Sequence, residues 1–273
     1  MQTVSNEIEP IFLYVYGTVA RVAAEQGIRF IVVGASARDL VMHHVHGAPI
    51  QRASNDIDFG LLVEDWGAFD TLRSALLSNG FSETDVAHRL LSPDEVRTDL
   101  IPFGPICDVN TEIEWPDDDG VRMNVLGFQE ACDHSDIVRV QTDPIIDVSV
   151  ATPAGMMLLK LIAWTDRAPD LRTRDATDLR YLLANYDRIP SVLEAIYNDP
   201  EIGTRYDWDT SRMSADLLGQ HSASIASPET VQAIKSRIIE NASTGARQRC
   251  VSARPLKCHG RNLHEPSYPQ EGN

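Results

Sequence analysis

Long hydrophobic runs are missing from this sequence. No stretch of about 18 consecutive apolar residues occurs, which is roughly the length that a membrane-spanning helix requires. Residues 1–7 also lack the basic segment followed by an apolar block that is typical of a secretory signal. These absences argue against a membrane protein or an exported one, and we expect a soluble protein of the cytoplasm.

Cysteine is scarce as well. The 273 residues contain 4 cysteines (Cys107, Cys132, Cys250, Cys258). Their wide spacing is not that of a disulfide framework, so reduced thiols are expected. Near the end of the chain, Cys250 and Cys258 stand close to His259 and His264, but the spacing matches no familiar zinc-binding motif. The sequence does not decide whether these residues bind a metal.

Basic residues are few for a chain of this size. Lysine and arginine number 24 against 40 acidic residues, which gives a net charge of −16. Because nucleic-acid backbones are bound by clustered positive charge, this composition argues against a broad electrostatic surface for RNA or DNA. A local groove with a few arginines remains compatible with it.

The sequence does contain a phosphate-binding pattern near its start. The apolar run Phe30–Val33 predicts a strand, and Gly34-Ala35-Ser36 follows as a turn into a short helix. Glycine lets the backbone approach a ligand closely, and the N–H groups at the start of a helix favour anions. We therefore predict that Gly34 and Ser36 contact the phosphates of a nucleotide.

Two carboxylates follow about 20 residues later, in Asn55-Asp56-Ile57-Asp58-Phe59. Side chains in a strand alternate with a period of two, so Asp56 and Asp58 lie on the same face. Like charges this close repel unless a cation lies between them, and Mg²⁺ prefers carboxylate oxygens while keeping positions open for phosphates. The pair predicts a site for Mg²⁺ or Mn²⁺ facing the glycine turn.

These motifs resemble those of the DNA polymerase β-like nucleotidyltransferase superfamily, whose signature is a glycine-serine or glycine-glycine turn followed by an apolar-flanked Asp-x-Asp. More narrowly, residues 33–40 (VGASARDL) and residues 52–59 (RASNDIDF) resemble the AbiEii-type toxin nucleotidyltransferases. The gap between the two motifs is longer than in many members, and we expect residues 46–51 to lengthen a surface loop. The resemblance covers roughly residues 28–187.

The resemblance implies further site residues in the first half of the chain. Asp99, in the apolar-flanked run Thr98–Phe103, takes the place of the third carboxylate, which helps to hold one metal ion and accepts the proton of the attacking hydroxyl. Arg38 with Asp39 is similar to the Arg-Asp pair of template-independent tRNA nucleotidyltransferases, which implies a contact with the triphosphate. The alternatives are an ordinary edge-strand aspartate for Asp99 and an ion pair on the helix surface for Arg38.

A second set of charged residues lies in the helical part of the sequence. A helix is predicted after Thr152-Pro153 and is apolar nearly all round, except for Lys160 in its middle. A buried lysine is costly unless it is paired or bound to an anion. Its expected partners are Asp175 and Asp178, which border the apolar stripe of the next helix.

The AbiEii-type family is similar at these positions, with a lysine followed by an Arg/Lys-Asp-x-x-Asp-Leu segment. The resemblance implies that Lys160 contacts the nucleotide phosphates and that either Asp175 or Asp178 completes the site, with Asp175 favoured. Arg174 of the same segment is a further candidate for nucleotide binding. The alternative is a purely structural ion pair between two helices. Arg174 belongs to the densest basic cluster of the acidic body, which suits a triphosphate or a polynucleotide end but also balances nearby acids (Arg167, Arg172, Arg174, Arg180).

These patterns predict an α/β fold with three parts. Residues 1–151 are expected to form a nucleotidyltransferase-fold mixed sheet flanked by helices, and residues 152–245 a helical domain that closes the active-site cleft. Residues 246–273 are polar and short of large apolar side chains, which favours disorder.

The sequence thus predicts a metal-dependent transfer of an NMP from an NTP to a hydroxyl group. The toxin-like resemblance implies the 3′ end of tRNA as the favoured acceptor and a cognate antitoxin protein as a partner. Two alternatives remain open. One is a transferase that modifies a small hydroxylated molecule or a protein, and the other is a non-catalytic nucleotide-binding module. The presence of all three carboxylates argues against the second.

Overall fold

The computed structural model describes residues 1–51, 55–116 and 122–239. Arg52 and Ser54 of the second motif lie outside the described residues. So does the tail that the sequence predicts to be disordered, with its Cys250, Cys258, His259 and His264.

Within the described residues, the strands in chain order are β1 (Gln2–Thr3), β2 (Arg29–Val33), β3 (Asp56–Leu62), β4 (Ser82–Glu83), β5 (Arg89–Leu91), β6 (Arg97–Phe103), β7 (Glu112–Glu114), β8 (Arg122–Asn124), β9 (Asp136–Thr142) and β10 (Ile145–Val150). One 8-stranded sheet has the order β1-β9-β10-β2-β3-β6-β5-β4, and β7 pairs with β8 separately. At its centre, β2 and β3 are antiparallel whereas β3 and β6 are parallel. The predicted mixed sheet is confirmed.

The helices of the described residues are α1 (Pro10–Glu25), α2 (Gly34–Arg38), α3 (Trp66–Ser78), α4 (Phe128–Asp133), α5 (Pro153–Asp166), α6 (Thr173–Asn185), α7 (Pro190–Tyr197), α8 (Pro200–Arg205), α9 (Thr210–Ile225) and α10 (228–239). Helices α5 to α10 follow the last strand and make up the helical second half. Among all the residues that the structure describes, no helix is long and apolar enough to cross a bilayer.

Two elements differ from the sequence expectation. The sequence predicts one helix over residues 35–45, but the structure is α-helical only as far as Arg38 and continues as a π-helix over Asp39–Val45, a widened turn that is frequent at functional sites. The sequence also predicts a strand over Val86–Leu91, which in the structure starts only at Arg89. The reason is a turn, in which the Thr84 hydroxyl accepts a hydrogen bond from the Val86 backbone N–H.

The start of the helical half follows the predicted chemistry. The Thr152 hydroxyl accepts a hydrogen bond from the Gly155 backbone N–H at 3.2 Å, and Pro153 opens α5. The core of the sheet is continuous with the helices, since the cluster that contains Phe59 of β3 also contains Met156 of α5. The division of the chain into two domains at residue 152 stays a prediction.

Candidate active site

The strand registers bring the predicted motifs to one edge of the sheet. Val33, at the end of β2, stands opposite Asp58 of β3, and Asp58 stands opposite Asp99 of β6. Because β2 runs antiparallel to the other two strands, its carboxyl end meets their amino ends. The glycine turn after β2 and the carboxylates of β3 and β6 therefore lie side by side.

Gly34 fits so closely against Asp58 that a side chain at this position would have to displace the carboxylate. Its φ of +70° lies in the left-handed region that glycine adopts without strain. A Cβ built at Gly34 would overlap Asp58 Oδ2 and lie 2.9 Å from Asp58 Cγ. The glycine turn and the carboxylate of β3 thus occupy adjoining positions that depend on each other.

Ser36 lies inside the turn rather than at its surface. Its hydroxyl donates a hydrogen bond to the Val33 carbonyl at 3.0 Å, and the residue is buried. It lines a cavity of about 80 Å³ together with Tyr16 and Asp56. Burial raises the pKa of Tyr16, and the charges of nearby aspartates raise it further, so the phenol stays neutral beside the carboxylates.

The carboxylates at this edge repel each other. The pKa of Asp58 is raised to about 7, first by burial and then by the charges of Asp99 and Asp56. The positive charges of Lys160 and Arg174 oppose this shift without cancelling it. Carboxylate oxygens are the donors that Mg²⁺ and Mn²⁺ prefer, and a divalent cation would offset the repulsion. The chemistry of the donor set therefore fits such an ion.

Asp99 is held by an arginine that the sequence analysis did not single out. The Arg89 guanidinium donates from Nε to Asp99 Oδ1 at 2.6 Å and from Nη2 to Oδ2 at 2.7 Å. The two residues face each other across β5 and β6. Within the described residues, no three histidine, cysteine or acidic side chains converge as a metal-binding group. An arginine in a short strand carries no motif, and only the strand pairing shows its place.

Arg38 is buried in a network of polar contacts. Its Nη2 lies 2.8 Å from Asp39 Oδ1, and its Nη1 donates to Asp178 Oδ1 at 2.8 Å and to Gln51 Oε1 at 3.0 Å. The guanidinium also stacks over the Tyr181 ring, 5.3 Å from its centroid. The ion pair with Asp39, which the sequence left open as an alternative, is present. Contact between Arg38 and a triphosphate stays a prediction.

Lys160 and the two aspartates of α6 meet as the sequence predicts. Lys160 Nζ lies 3.1 Å from Asp175 Oδ1 and 2.8 Å from Asp178 Oδ2. Asp175 is 0% exposed, and its second oxygen is 2.8 Å from Arg167 Nη1. Asp178 forms an ion pair with Lys160 and accepts a hydrogen bond from Arg38, so it joins the helical half to the glycine turn. The expected pairing between α5 and α6 is confirmed, whereas the role of these residues in the reaction is untested.

The remaining arginines of the basic cluster have different environments. Arg174 Nη2 lies 3.8 Å from Asp56 Oδ2, and its side chain is 54% exposed, so it borders the carboxylate edge from the solvent side. Arg172 instead donates to the Arg167 carbonyl and stacks over the Trp164 ring. Arg174 is thus the member of the cluster that the structure places beside a carboxylate of β3.

The loop between the two motifs is more than the surface insertion that the sequence suggests, since its Ala48 is fully buried. The Pro49 carbonyl accepts a hydrogen bond from the Tyr181 hydroxyl at 2.8 Å, and Gln51 Nε2 donates to the Thr177 carbonyl at 3.1 Å. Because both partners belong to α6, the loop ties this helix to the first half of the chain.

Several solved structures are similar to this chain at low sequence identity. The antibiotic-resistance factor ANT(2″)-Ia, in complex with adenylyl-2″-tobramycin, is 15% identical over 63% of this chain and 87% of its own, with a TM-score of 0.40. Lincomycin-bound LnuA, a lincosamide antibiotic adenylyltransferase, is 14% identical over 65% of this chain and 98% of its own, with a TM-score of 0.39. An antigenic nucleotidyltransferase-like protein from Paracoccidioides brasiliensis is 15% identical over 78% of this chain and 95% of its own, with a TM-score of 0.42.

The sequence itself matches a family model. No curated protein matches the chain. The model described as nucleotidyl transferase AbiEii toxin, Type IV TA system, matches residues 19–201. This range contains the glycine turn, the carboxylates of β3 and β6, and the charged residues of α5 and α6. The chain therefore belongs to the AbiEii nucleotidyltransferase family and is a nucleotidyltransferase.

Proposed function

We propose that this protein transfers an NMP from an NTP to the 3′ end of tRNA in a metal-dependent reaction, as the toxin of a toxin–antitoxin pair. The observation that carries the metal-dependent part is the strand register, which sets Asp58 beside Asp99 and against the glycine turn. A divalent cation would offset the mutual repulsion of these carboxylates, and the triphosphate of an NTP binds divalent ions.

The first role of the site residues is to hold metal and activate the acceptor. Asp56, Asp58 and Asp99 would hold divalent metal, which would neutralise charge on the reacting phosphate and so lower the barrier to attack by the hydroxyl. Asp99 also accepts the proton of that hydroxyl as a general base. The acceptor oxygen bonds to the α-phosphorus of the NTP, and pyrophosphate leaves with the electron pair of the broken bond.

The second role is to hold the triphosphate. Gly34 and Ser36 offer it the backbone N–H groups at the start of α2. Arg174 is well placed to pair with it, because this arginine borders Asp56 and its side chain is largely exposed.

Two further cations of the site are more deeply placed. Lys160 and Arg38 add positive charge on the side of the helical half, and Asp178 contacts both of them. Asp175 contacts Lys160 as well. The two aspartates thus hold these cations in position for the phosphates.

The choice of acceptor rests on the family. The model that matches this chain describes a Type IV toxin, which supports an antitoxin partner and growth arrest as the outcome. Arg174 and Arg180 are exposed on α6 and supply local positive charge for a polynucleotide end, as the acidic body as a whole does not. The net charge of −16 favours a second candidate acceptor, a small hydroxylated molecule, which needs no basic surface beyond the site.

The proposal is tested by following labelled nucleotide. Purified protein is incubated with Mg²⁺, each α-³²P-labelled NTP in turn and total RNA, with Asp56→Ala as the inactive variant. Asp147→Ala is the matched control, since it removes a carboxylate on β10, outside the site. We expect label in the tRNA band with the wild type and the control, and none with Asp56→Ala.

Other outcomes separate the parts of the proposal. Label on protein, or Mg²⁺-dependent NTP binding without label in any macromolecule, overturns the tRNA acceptor and favours the alternatives. Label in tRNA that persists in Asp56→Ala overturns the assigned site. Label that persists when EDTA replaces Mg²⁺ overturns the metal dependence.

A further inference from the structure

Within the described part of the chain, Arg89 makes the closest ionic contact with the three carboxylates of the proposed site. Both of its hydrogen bonds to Asp99 are short, at 2.6 and 2.7 Å, and they use both oxygens of the carboxylate. The Asp99 side chain is only 10% exposed, whereas that of Arg89 is 29% exposed. The carboxylate that the proposed function gives to a metal ion is thus neutralised by a residue of the protein itself.

The influence of Arg89 extends beyond Asp99. Its hydrogen bond to Asp99 is the main reason that the pKa of the guanidinium is raised, and the charges of the site carboxylates add to the shift. Arg89 therefore lies in the field of the whole carboxylate group. A guanidinium cannot lose its proton in a protein. Arg89 therefore stays positively charged at any ordinary pH and competes with other cations for the carboxylates.

We propose that Arg89 competes with a divalent metal ion for Asp99, so that the arginine releases this carboxylate when the ion binds. This inference rests on the proposed metal-dependent function and adds a residue to it. It predicts that Arg89 and the metal ion oppose each other, because a cation at Asp99 repels a second cation at short distance.

The position of Arg89 allows such an exchange. It is the first residue of β5, a strand of 3 residues, and β4 beyond it has 2 residues and lies at the edge of the sheet. Its partly exposed side chain can therefore turn toward solvent without disturbing the centre of the sheet.

The protein contains a matched pair outside the site. Arg139 of β9 donates from Nε to Asp147 Oδ1 at 2.8 Å and from Nη2 to Oδ2 at 2.9 Å, also across neighbouring strands. The exposed fractions of the two side chains are 24% and 34%. Replacing Arg139 removes the same type of ion pair and leaves the carboxylates of β3 and β6 unchanged.

The test is the binding of Mn²⁺ alone to the full chain, without nucleotide, measured by calorimetry and by electron paramagnetic resonance of free Mn²⁺. The wild type is compared with Arg89→Met and with Arg139→Met. We expect Arg89→Met to bind Mn²⁺ roughly tenfold more tightly, because one positive charge beside a divalent ion is gone. Arg139→Met should bind it as the wild type does. Unchanged or weaker binding in Arg89→Met overturns the inference and makes Arg89 a residue that orients Asp99 for the metal.

A second measurement is the melting temperature of each variant with and without Mn²⁺, which shows directly whether Arg89→Met is folded. In Arg89→Met without metal, Asp99 loses its guanidinium partner while Asp56 and Asp58 still repel it. The melting temperature of this variant should therefore be lower than that of the wild type. Mn²⁺ should raise this temperature more in Arg89→Met than in the wild type, since metal binding and the arginine are coupled reciprocally. Arg89→Lys keeps the charge but loses the two-bond fork, and a gain in Mn²⁺ affinity equal to or above that of Arg89→Met would contradict the proposal.

Failure of the inference is distinct from failure of the proposed function. Asp58→Asn is included in the same titration. If it binds Mn²⁺ as the wild type does, the carboxylates are not the metal site and the metal-dependent function falls. If Asp58→Asn loses the ion while Arg89→Met gains nothing, the site stands and only the role of Arg89 is overturned.

Discussion

Gly34 and Asp58 fit together more tightly than the strand pairing alone would require. The turn needs the left-handed φ of Gly34, and the carboxylate takes the space that a Cβ would fill. Two separate costs, backbone strain and steric overlap, would thus fall on one substitution. They can be told apart, because Gly27 has nearly the same φ, +67°, and nothing lies within 4 Å of the place that its Cβ would take.

Gly34→Ala is expected to lose about 2 to 4 kcal/mol of unfolding free energy, since strain and overlap add. Its NMP transfer should fall more than about 100-fold, because a displacement of about 1 Å in a reacting group has effects of that size. Gly27→Ala should cost only about 1 kcal/mol and keep full activity. Urea unfolding and transfer of labelled NMP measure both. Equal losses of activity in the two variants would show that the close fit to Asp58 is unimportant.

Sequence patterns identify a residue well when its meaning is local. Asp56 and Asp58 are found because they alternate in one strand, and Lys160 because a charge interrupts an apolar helix. Arg89 is missed because its importance comes from a carboxylate on the neighbouring strand, and strand pairing is a property of the fold. The burial of Arg38 is missed for the same reason, since one of its partners lies on a helix 140 residues away in sequence.

Among the helices, α5 and α6 are joined to the end of α2 and the π-helical turn that follows it by a balanced charge network. In the described part of the chain, three cations and three carboxylates take part (Arg38, Lys160, Arg167, Asp39, Asp175, Asp178). Buried charges are tolerated only when each has its counterpart, so loss of one member leaves an opposite charge uncompensated. The network therefore couples the packing of these helices to the charge of each member.

Lys160→Met should destabilise the protein by about 2 to 4 kcal/mol, because two buried carboxylates lose a shared cation. Adding Asp178→Asn restores the balance and should recover about 1 to 3 kcal/mol of that loss. Urea unfolding of the wild type, the two single variants and the double variant measures this coupling. Strictly additive losses would contradict a shared network.

The same variants test the nucleotide role of Lys160. The double variant should bind NTP more weakly than Asp178→Asn alone, since in the proposed site the lysine contacts phosphate and Asp178 does not. Equal NTP affinities of these two variants would leave Lys160 a purely structural residue.

Helices and strands with strong periodicity are predictable from the sequence. The apolar positions of α1 and α6 repeat at helical spacing, α5 is apolar nearly all round, and the apolar runs of β2, β3 and β6 are long enough to stand out. The π-helical turn at Asp39–Val45 leaves no such trace, because it shifts the register of one helix without changing its composition. Strands of two residues, such as β1 and β4, depend on their partners rather than on any pattern of their own.

Across the molecule as a whole, the sheet and the helical half share one core. The cluster of buried apolar residues that includes Val32 and Phe59 also includes Met156, Tyr181 and Leu218. Exposing one half would expose part of the other, so the two halves should unfold together. We therefore expect residue 152 to mark a change of composition and not the border between two independently stable domains.

Tryptophan positions allow a direct test, because Trp66 and Trp115 lie in the first half and Trp164 and Trp208 in the second. One variant has Trp66 and Trp115 replaced by Phe, and another has Trp164 and Trp208 replaced. In each variant, unfolding by urea is followed by fluorescence and by far-ultraviolet circular dichroism. Coincident midpoints are expected for a single cooperative transition. A fluorescence midpoint of one half that precedes the dichroism midpoint would instead establish two independently stable domains.

The loop of residues 46–51 has a consequence for how such proteins diverge. Its Pro49 carbonyl and Gln51 amide are bonded to Tyr181 and Thr177 of α6, so the loop and one face of that helix form a single unit. We expect a relative with a shorter loop to lack these bonds and to differ in the facing residues of α6. The length of this loop and the residue at the position of Tyr181 should therefore vary together among relatives. A chimaera that takes only one of the two from a relative should lose the hydrogen bonds between the loop and α6.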